Sequence, residues 1–113
     1  MNIATETHGA ITVIKLDGNL MGGPDASSVN AKLHELIAAG KKLVILDLTA
    51  VQFINSSGLG LLIGGVNALR SVGGSLKIAG ASAKILALIK ITKLEKLFEN
   101  YPTVKDALAS MTT

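Results

Sequence analysis

Leu43-Val44-Ile45-Leu46-Asp47-Leu48 is the stretch that decides the fold. Its residues are nearly all aliphatic and do not alternate with polar ones. A strand covered on both faces reads this way, which puts the segment in the middle of a partly parallel sheet. Upstream, residues 3–7 and 11–16 are β-rich runs separated by His8-Gly9, the pattern of an antiparallel hairpin. Residues 18–23 read as a loop. Pro24 then suits the first position of a helix, and Asp25 suits the positive end of its dipole. Val29, Leu33, Leu36 and Ile37 form one apolar stripe, and Gly40 ends the helix.

Downstream, residues 52–55 are a short connector. A second helix is expected over residues 57–72, with Leu59, Leu62, Ile63, Val66 and Leu69 facing inward and Gly73-Gly74 as its stop. Gly60 and Gly64, four apart, are expected to let this helix approach the sheet. Residues 75–79 form another strand, and Ser82 can cap a third helix that runs to about residue 89. Residues 92–98 fit a continued helix, a 3₁₀ turn or a short strand. Thr103-Val104-Lys105-Asp106 has the form of a capping box with Asp in place of Glu, and Val104, Leu108 and Met111 give a last helix its stripe. The order β-β-α-β-α-β-α-(β)-α predicts an α/β fold. One domain, residues 1–113, has a small mixed sheet packed with about four helices.

Composition bounds the function. The chain has 113 residues, 49% of them hydrophobic, enough for one core. It has no cysteine, which excludes disulfides, zinc–thiolate sites and thiol catalysis and fits a reducing compartment. Residues 1–9 show neither a basic n-region nor an apolar h-region, so no secretory signal is expected. The longest mainly apolar stretch, residues 58–66, falls far short of the roughly 20 residues of a membrane span. A cytoplasmic protein without membrane insertion is the expectation. Net charge is +3 but uneven: residues 1–56 carry four Lys and five acids, residues 57–113 seven Lys or Arg and three acids. Lys84, Lys90, Lys93 and Lys96 cluster. The aromatics are only Phe53, Phe98 and Tyr101, and there is no nucleic-acid motif, so the cluster reads as a solvated helix face.

Catalytic patterns are weak. His8 falls at the hairpin turn and His34 on a helix surface, and neither has a carboxylate or serine at a telling spacing. Asp17 and Asp47 end strands, where carboxylates more often bond turn amides than pair for catalysis. Ser57 lacks the G-x-S-x-G elbow of a hydrolase nucleophile. Glycines 58, 60, 64 and 65 match neither a P-loop nor a dinucleotide fingerprint. No enzymatic activity, cofactor or metal is expected.

The informative segment is Phe53-Ile54-Asn55-Ser56-Ser57-Gly58-Leu59-Gly60, which follows the buried strand and opens the apolar helix. Two adjacent serines there sit at the surface, where the first helical amides lack partners. On spacing alone one serine serves as an N-cap, worth about 1 kcal/mol.

Over nearly its whole length the chain resembles the STAS family. The resemblance is carried by residues 12–20 (TVIKLDGNL), 43–48, 51–62 and 73–76, and by Leu97-Phe98, which matches the family's late "LF". The D-S-S-G-L-G type motif after an "LVLDL"-like strand is specific, and within the family the chain resembles the anti-sigma factor antagonist type. The resemblance implies that Ser57, the second serine of the motif, is the residue phosphorylated by a cognate anti-sigma factor, a GHKL-type serine kinase, and reset by a phosphatase. It also implies partner contacts from Met21, Asn55, Ser56, Gly58, Leu59 and Gly60. The chain departs from the family in three places. The motif's acid is Asn55, the acid of the "G-x-L-D" loop is Met21, and the late "G-L" is Lys93-Leu94, which speaks against a left-handed glycine turn there. The first two remove negative charge near Ser57. The alternatives are an unswitched STAS scaffold or transporter-accessory subunit, and a small-ligand or nucleotide sensor. The oligomeric state is not legible.

Overall fold

A computed structural model of the chain describes residues 2–111. Strands β1 (Asn2–His8), β2 (Ile11–Asp17), β3 (Leu43–Ala50), β4 (Ser75–Ala79) and β5 (Asn100–Tyr101) alternate with helices α1 (Pro24–Ala38), α2 (Ser56–Ser71), α3 (Ala83–Ile91) and α4 (Val104–Met111). The strands line up in chain order as one five-stranded sheet. β1 and β2 form the antiparallel hairpin, with Ile3 opposite Leu16. β2–β3, β3–β4 and β4–β5 are all parallel. The 43–48 run is therefore the central strand, and its aliphatic side chains divide between the two faces.

On one face Val44, Leu46 and Leu48 join Ile14 and Leu16 of β2, and α1, α2 and α3 cover them through Leu33, Leu62, Leu69, Ile85 and Ile89. On the other face Ile45, Ile11 and Val13 meet Ala107 of α4, flanked by Val104, Leu108 and Met111. Continuous hydrophobicity in β3 follows from this sandwiching between helical layers. The Thr103 hydroxyl accepts a hydrogen bond from the amide of Asp106 at 3.1 Å, so the start of α4 is capped as its sequence suggests. Ser82 caps α3 by accepting from the amide of Ile85 at 3.3 Å.

Several details differ from the sequence-based expectation. α2 begins at Ser56, not Ser57, and ends at Ser71. Gly60 and Gly64 face open space. The glycines that permit close packing are Gly65, where an added Cβ would lie 3.0 Å from Leu33 and 3.1 Å from Leu76, and Gly58, which abuts the backbone of Leu20. Residues 92–98, for which the sequence leaves helix, 3₁₀ turn and strand all open, form turns, and the last strand comes later, at β5. The turn after α3 does adopt the left-handed conformation, with Lys93 at φ 59°. A lysine there carries the steric cost a glycine would avoid, because its Cβ crowds the following carbonyl.

One polar cluster pins β5 and α4 to β4. Lys77 Nζ lies 3.0 Å from Glu99 Oε2, donates to Ser110 Oγ at 3.0 Å, and sits 5.3 Å from the centre of the Tyr101 ring. Burial pulls the Lys77 pKa down, but its hydrogen bonds to Glu99 and Tyr101 outweigh that and leave it above the ordinary value. The hydrogen bond from Lys77 likewise holds the Glu99 carboxyl below its ordinary value, against desolvation.

Candidate functional site

Three parallel strands end side by side, and the chain leaves each of them at the same edge of the sheet. The loop 18–23 follows β2, the connector 51–55 follows β3, and residues 80–82 follow β4. Ligands and partners of open α/β sheets characteristically meet this edge. Here the first two segments are joined. Leu20 and Ile54 form a parallel bridge beyond the strands proper, with Leu20 N donating to Phe53 O at 3.0 Å and Asn55 N to Leu20 O at 3.4 Å. The side chains of Leu20 and Ile54 are buried, so the bridge rests on the core.

Asn55 completes the junction. Its Oδ1 accepts from the amide of Gly58 at 2.9 Å, which makes it the N-cap of α2. Its Nδ2 donates to the carbonyl of Met21 at 2.7 Å. Asn55 thus supplies the cap expected of a serine, and both Ser56 and Ser57 become residues of the first helical turn. Both are exposed. Gly22, at φ 87°, presses against Ser57: a Cβ at residue 22 would lie 2.6 Å from Ser57 Cβ and 3.3 Å from its Oγ. Among the described residues no hydrogen bond engages the Ser57 hydroxyl.

Of the other residues expected at a contact surface, Met21 is 45% exposed, and Asn55 is half-buried and Gly60 exposed. Gly58 and Leu59 are buried, the first against Leu20 and the second in the core. Leu59 therefore anchors the helix start instead of presenting a side chain to solvent. Asp17 and Asp47 do not pair: Asp47 accepts from Thr49 N at 3.0 Å and from its hydroxyl at 2.6 Å. His8 lies 3.3 Å from Glu6 and His34 is exposed on α1, both away from this edge. Among the described residues no cluster of His, Cys, Asp and Glu could hold a metal.

The helix dipole makes the start of α2 positive, while Asp17 and Asp25 flank the 18–23 loop at the same edge. α2 points its N-terminus at the surface with no acid in its first turn, and a helix N-terminus carries about half a positive charge. Between Asp47 and Glu95 the chain has no Asp or Glu, while Arg70, Lys77, Lys84, Lys90 and Lys93 fall within that span.

Two features beside the serines carry no motif. One is Gly22, whose role depends on contact across the bridge. The other is an apolar groove of about 410 Å³ between the connector and α3, walled by Phe53, Ile54, Ile85, Leu88 and Ile91, with Lys84 at its rim. The signal for the groove is in the sequence. Ile91 lies off the Ile85–Ile89 stripe that α3 turns to the core, lines the groove and is exposed.

Comparison with known proteins agrees with this architecture. The family model for the STAS domain matches residues 2–107. The anti-sigma-B factor antagonist of Staphylococcus epidermidis is 34% identical over 101 residues, covering 86% of this chain and 89% of that protein. The crystal structure of an anti-sigma factor antagonist from Mycobacterium paratuberculosis superposes with a TM-score of 0.85 at 24% identity, covering 99% of this chain and 94% of the other. The Bacillus cell fate determinant SpoIIAA in its phosphorylated form gives a TM-score of 0.77 at 22% identity, covering 97% and 99%. At those identities the two structures speak for the fold. The chain belongs to the STAS domain family, of the type found in anti-sigma factor antagonists.

Proposed function

We propose that this domain is an anti-sigma factor antagonist switched at Ser57. Unmodified, it binds a cognate anti-sigma factor, a GHKL-type serine kinase; phosphorylated at Ser57, it lets go, and a phosphatase restores it. The observation that carries this reading is the presentation of Ser57. Its hydroxyl is exposed in the first turn of α2, on a backbone held by the Asn55 cap, the Met21 tether and the Leu20–Ile54 bridge. A rigid, exposed hydroxyl is what a kinase needs to align for transfer. A relative of the same fold has been solved in a phosphorylated form, which supports the reading.

The switch acts at the docked surface rather than on the fold. A phosphate adds about −1.5 to −2 charges, and at the start of α2 the free amides and the dipole favour an anion. Within the domain its effect is neutral or mildly stabilising. At an interface the same charge must be desolvated, and losing one well-packed contact costs on the order of 2–4 kcal/mol. That weakens binding roughly 30-fold to nearly 1000-fold. Met21, Asn55, Ser56 and Gly60 form the contact surface in this reading, with Gly58 and Leu59 holding it in place.

The test is phosphate labelling by the cognate kinase, with Ser57→Ala expected to abolish it. Persistent labelling of that variant at Ser56 refutes the assignment. The competing reading is an unswitched STAS scaffold, which the neutral Asn55 and Met21 favour. Intact mass of the protein from its native cells separates the two, because a switched protein shows a phosphorylated fraction.

A further inference from the structure

Two constraints act on Gly22, and only one of them is conformational. Its φ of 87° is left-handed, as is the 61° of Gly23 beside it. Both positions favour glycine on backbone grounds. They differ in their surroundings. A Cβ at residue 23 would meet nothing within 4 Å. The three atoms nearest a Cβ at residue 22 all belong to Ser57: Cβ at 2.6 Å, Oγ at 3.3 Å and Cα at 4.0 Å. This contact does not yield easily. Gly22 is held on both sides, through the Met21 carbonyl, which accepts from Asn55 Nδ2 at 2.7 Å, and through the Gly23 carbonyl, which accepts from the amide of Ser27 at 3.0 Å. Ser57 Cβ moves only with its backbone, in the helical turn that Asn55 caps. Rotating the hydroxyl would clear Oγ but not Cβ.

We propose that Gly22 is a positioning residue for the phosphorylation of Ser57. Its bare Cα lets the loop after β2 and the first turn of α2 close together, and so sets where the Ser57 hydroxyl stands relative to Met21, Asn55 and Ser56. The inference rests on the switch proposed above and names the residue outside the serine motif that fixes its geometry. In the transfer, Ser57 Oγ bonds to the γ-phosphorus of ATP, the bond from that phosphorus to the β–γ bridging oxygen breaks, ADP leaves, and the hydroxyl proton passes to a base of the kinase. Such a step depends on bringing the attacking and leaving oxygens into line. A kinase that grips the surface around Met21 and Asn55 meets the hydroxyl at one fixed offset only while residue 22 has no side chain. A Cβ there forces the loop and the helix start apart and carries Ser57 with them. A misplacement of about 1 Å costs on the order of 100-fold in rate. Because the nearest atoms are those of Ser57, the contact fixes the second serine of the pair.

The experiment compares Gly22→Ala, Gly22→Asn and Gly23→Ala in the full chain. Gly22→Asn keeps the colliding Cβ but suits the backbone, because asparagine tolerates the left-handed region; it decides the question if Gly22→Ala does not fold. Gly23→Ala brings backbone strain without contact to Ser57. The Hα–Hβ scalar couplings of Ser57 report its χ1 and need no kinase. They should change in both Gly22 variants and stay as in the wild type in Gly23→Ala. Steady-state labelling uses a GHKL-type serine kinase and radiolabelled ATP. Both Gly22 variants should lose kcat by on the order of tenfold to 100-fold with KM unchanged, the mark of an interaction felt in the transition state, and Gly23→Ala should match the wild type. Couplings unaltered in Gly22→Asn, full kcat in either Gly22 variant, an equal loss in Gly23→Ala, or a loss carried wholly by KM overturns the proposal. A wild-type chain that no such kinase labels refutes the switch and the positioning role with it. A labelled wild type with indifferent Gly22 variants refutes the positioning role alone.

Discussion

Adding one methyl group to α2 should destabilise the domain at residue 58 and stabilise it at residue 60 or 64. At Gly58 an added Cβ would collide with the carbonyl oxygen of Leu20, and Leu20 C and Cγ would both lie at 3.2 Å. The colliding atom is backbone, in a residue that is itself fully buried, so it cannot swing aside. Relief requires the helix start to move away from the loop. That strains the three hydrogen bonds joining them: Leu20 N to Phe53 O, Asn55 N to Leu20 O, and Asn55 Nδ2 to Met21 O. Overpacking costs about 1–3 kcal/mol, and each hydrogen bond weakened costs up to about 1 kcal/mol. Alanine regains about 1 kcal/mol of helix propensity over glycine. The net for Gly58→Ala is a loss of roughly 2–3 kcal/mol, or a fall in Tm of about 10 °C at about 4 °C per kcal/mol. At Gly60 and Gly64 nothing lies within 4 Å of the new Cβ. Only the propensity gain remains there, so each alanine should raise Tm by about 4 °C. Urea and thermal unfolding of the three variants provide the assay. If Gly58→Ala unfolds at or above the temperature of Gly60→Ala, the contact between α2 and Leu20 is not as described.

Asn55→Ala should lose about 2 kcal/mol by urea unfolding, since it removes both the cap on Gly58 and the tether to Met21. Asn55→Asp keeps the cap and gains the dipole but gives up the tether, its second oxygen facing the Met21 carbonyl, so it should lose about 1–2 kcal/mol; a gain in stability would contradict the tether. Lys93→Gly should raise Tm by an amount equivalent to about 1 kcal/mol, because it relieves a left-handed lysine, and a fall would refute the strain. The Lys77–Glu99 pair gives a pH dependence. The Glu99 carboxyl sits below its ordinary value in the fold. Its contribution is therefore complete above the unfolded pKa of about 4.3 and disappears as pH falls through the lower folded value. Lys77 is raised, so its contribution is complete below about 10.4 and is lost as pH rises through the higher folded value. Glu99 is 59% exposed, so the effect is small and weakened by salt. The Tm difference between wild type and Glu99→Gln should vanish near about pH 2, and an undiminished difference there would contradict the pairing.

What the sequence reveals depends on the range of the interaction behind each feature. The central place of β3 is legible because double-sided burial removes all alternation from residues 43–48. The hairpin, the α1 stripe and the Ser82 and Thr103 caps are legible because each is settled within a few residues of chain. The packing glycines of α2 are legible in principle: Gly58 and Gly65 fall beside Leu62 and Leu69 on the helical repeat, whereas Gly60 and Gly64 fall opposite. Spacing of four alone does not say which face is inward. The N-cap is harder, because Ser56, Ser57 and Asn55 are all good caps. Asn55 takes the position because its amide also reaches Met21, 34 residues away. Gly22 against Ser57 is a contact of the same kind, invisible until β2 and β3 are placed side by side. The left-handed Lys93 shows tertiary packing overriding local preference: Leu94, just after it, packs against the core, and the chain must turn there to deliver it.

The Asn55 junction also has a kinetic consequence. One side chain holds the first turn of α2 and the loop after β2, and the bridge residues Leu20 and Ile54 link the same two segments. Neither can detach while the other stays in place, so they open together as one cooperative unit. The amides of Leu20, Asn55 and Gly58 should then exchange with solvent deuterium at one common opening rate. Ser57, set on that unit, leaves its surface position only when the whole edge of the sheet lets go.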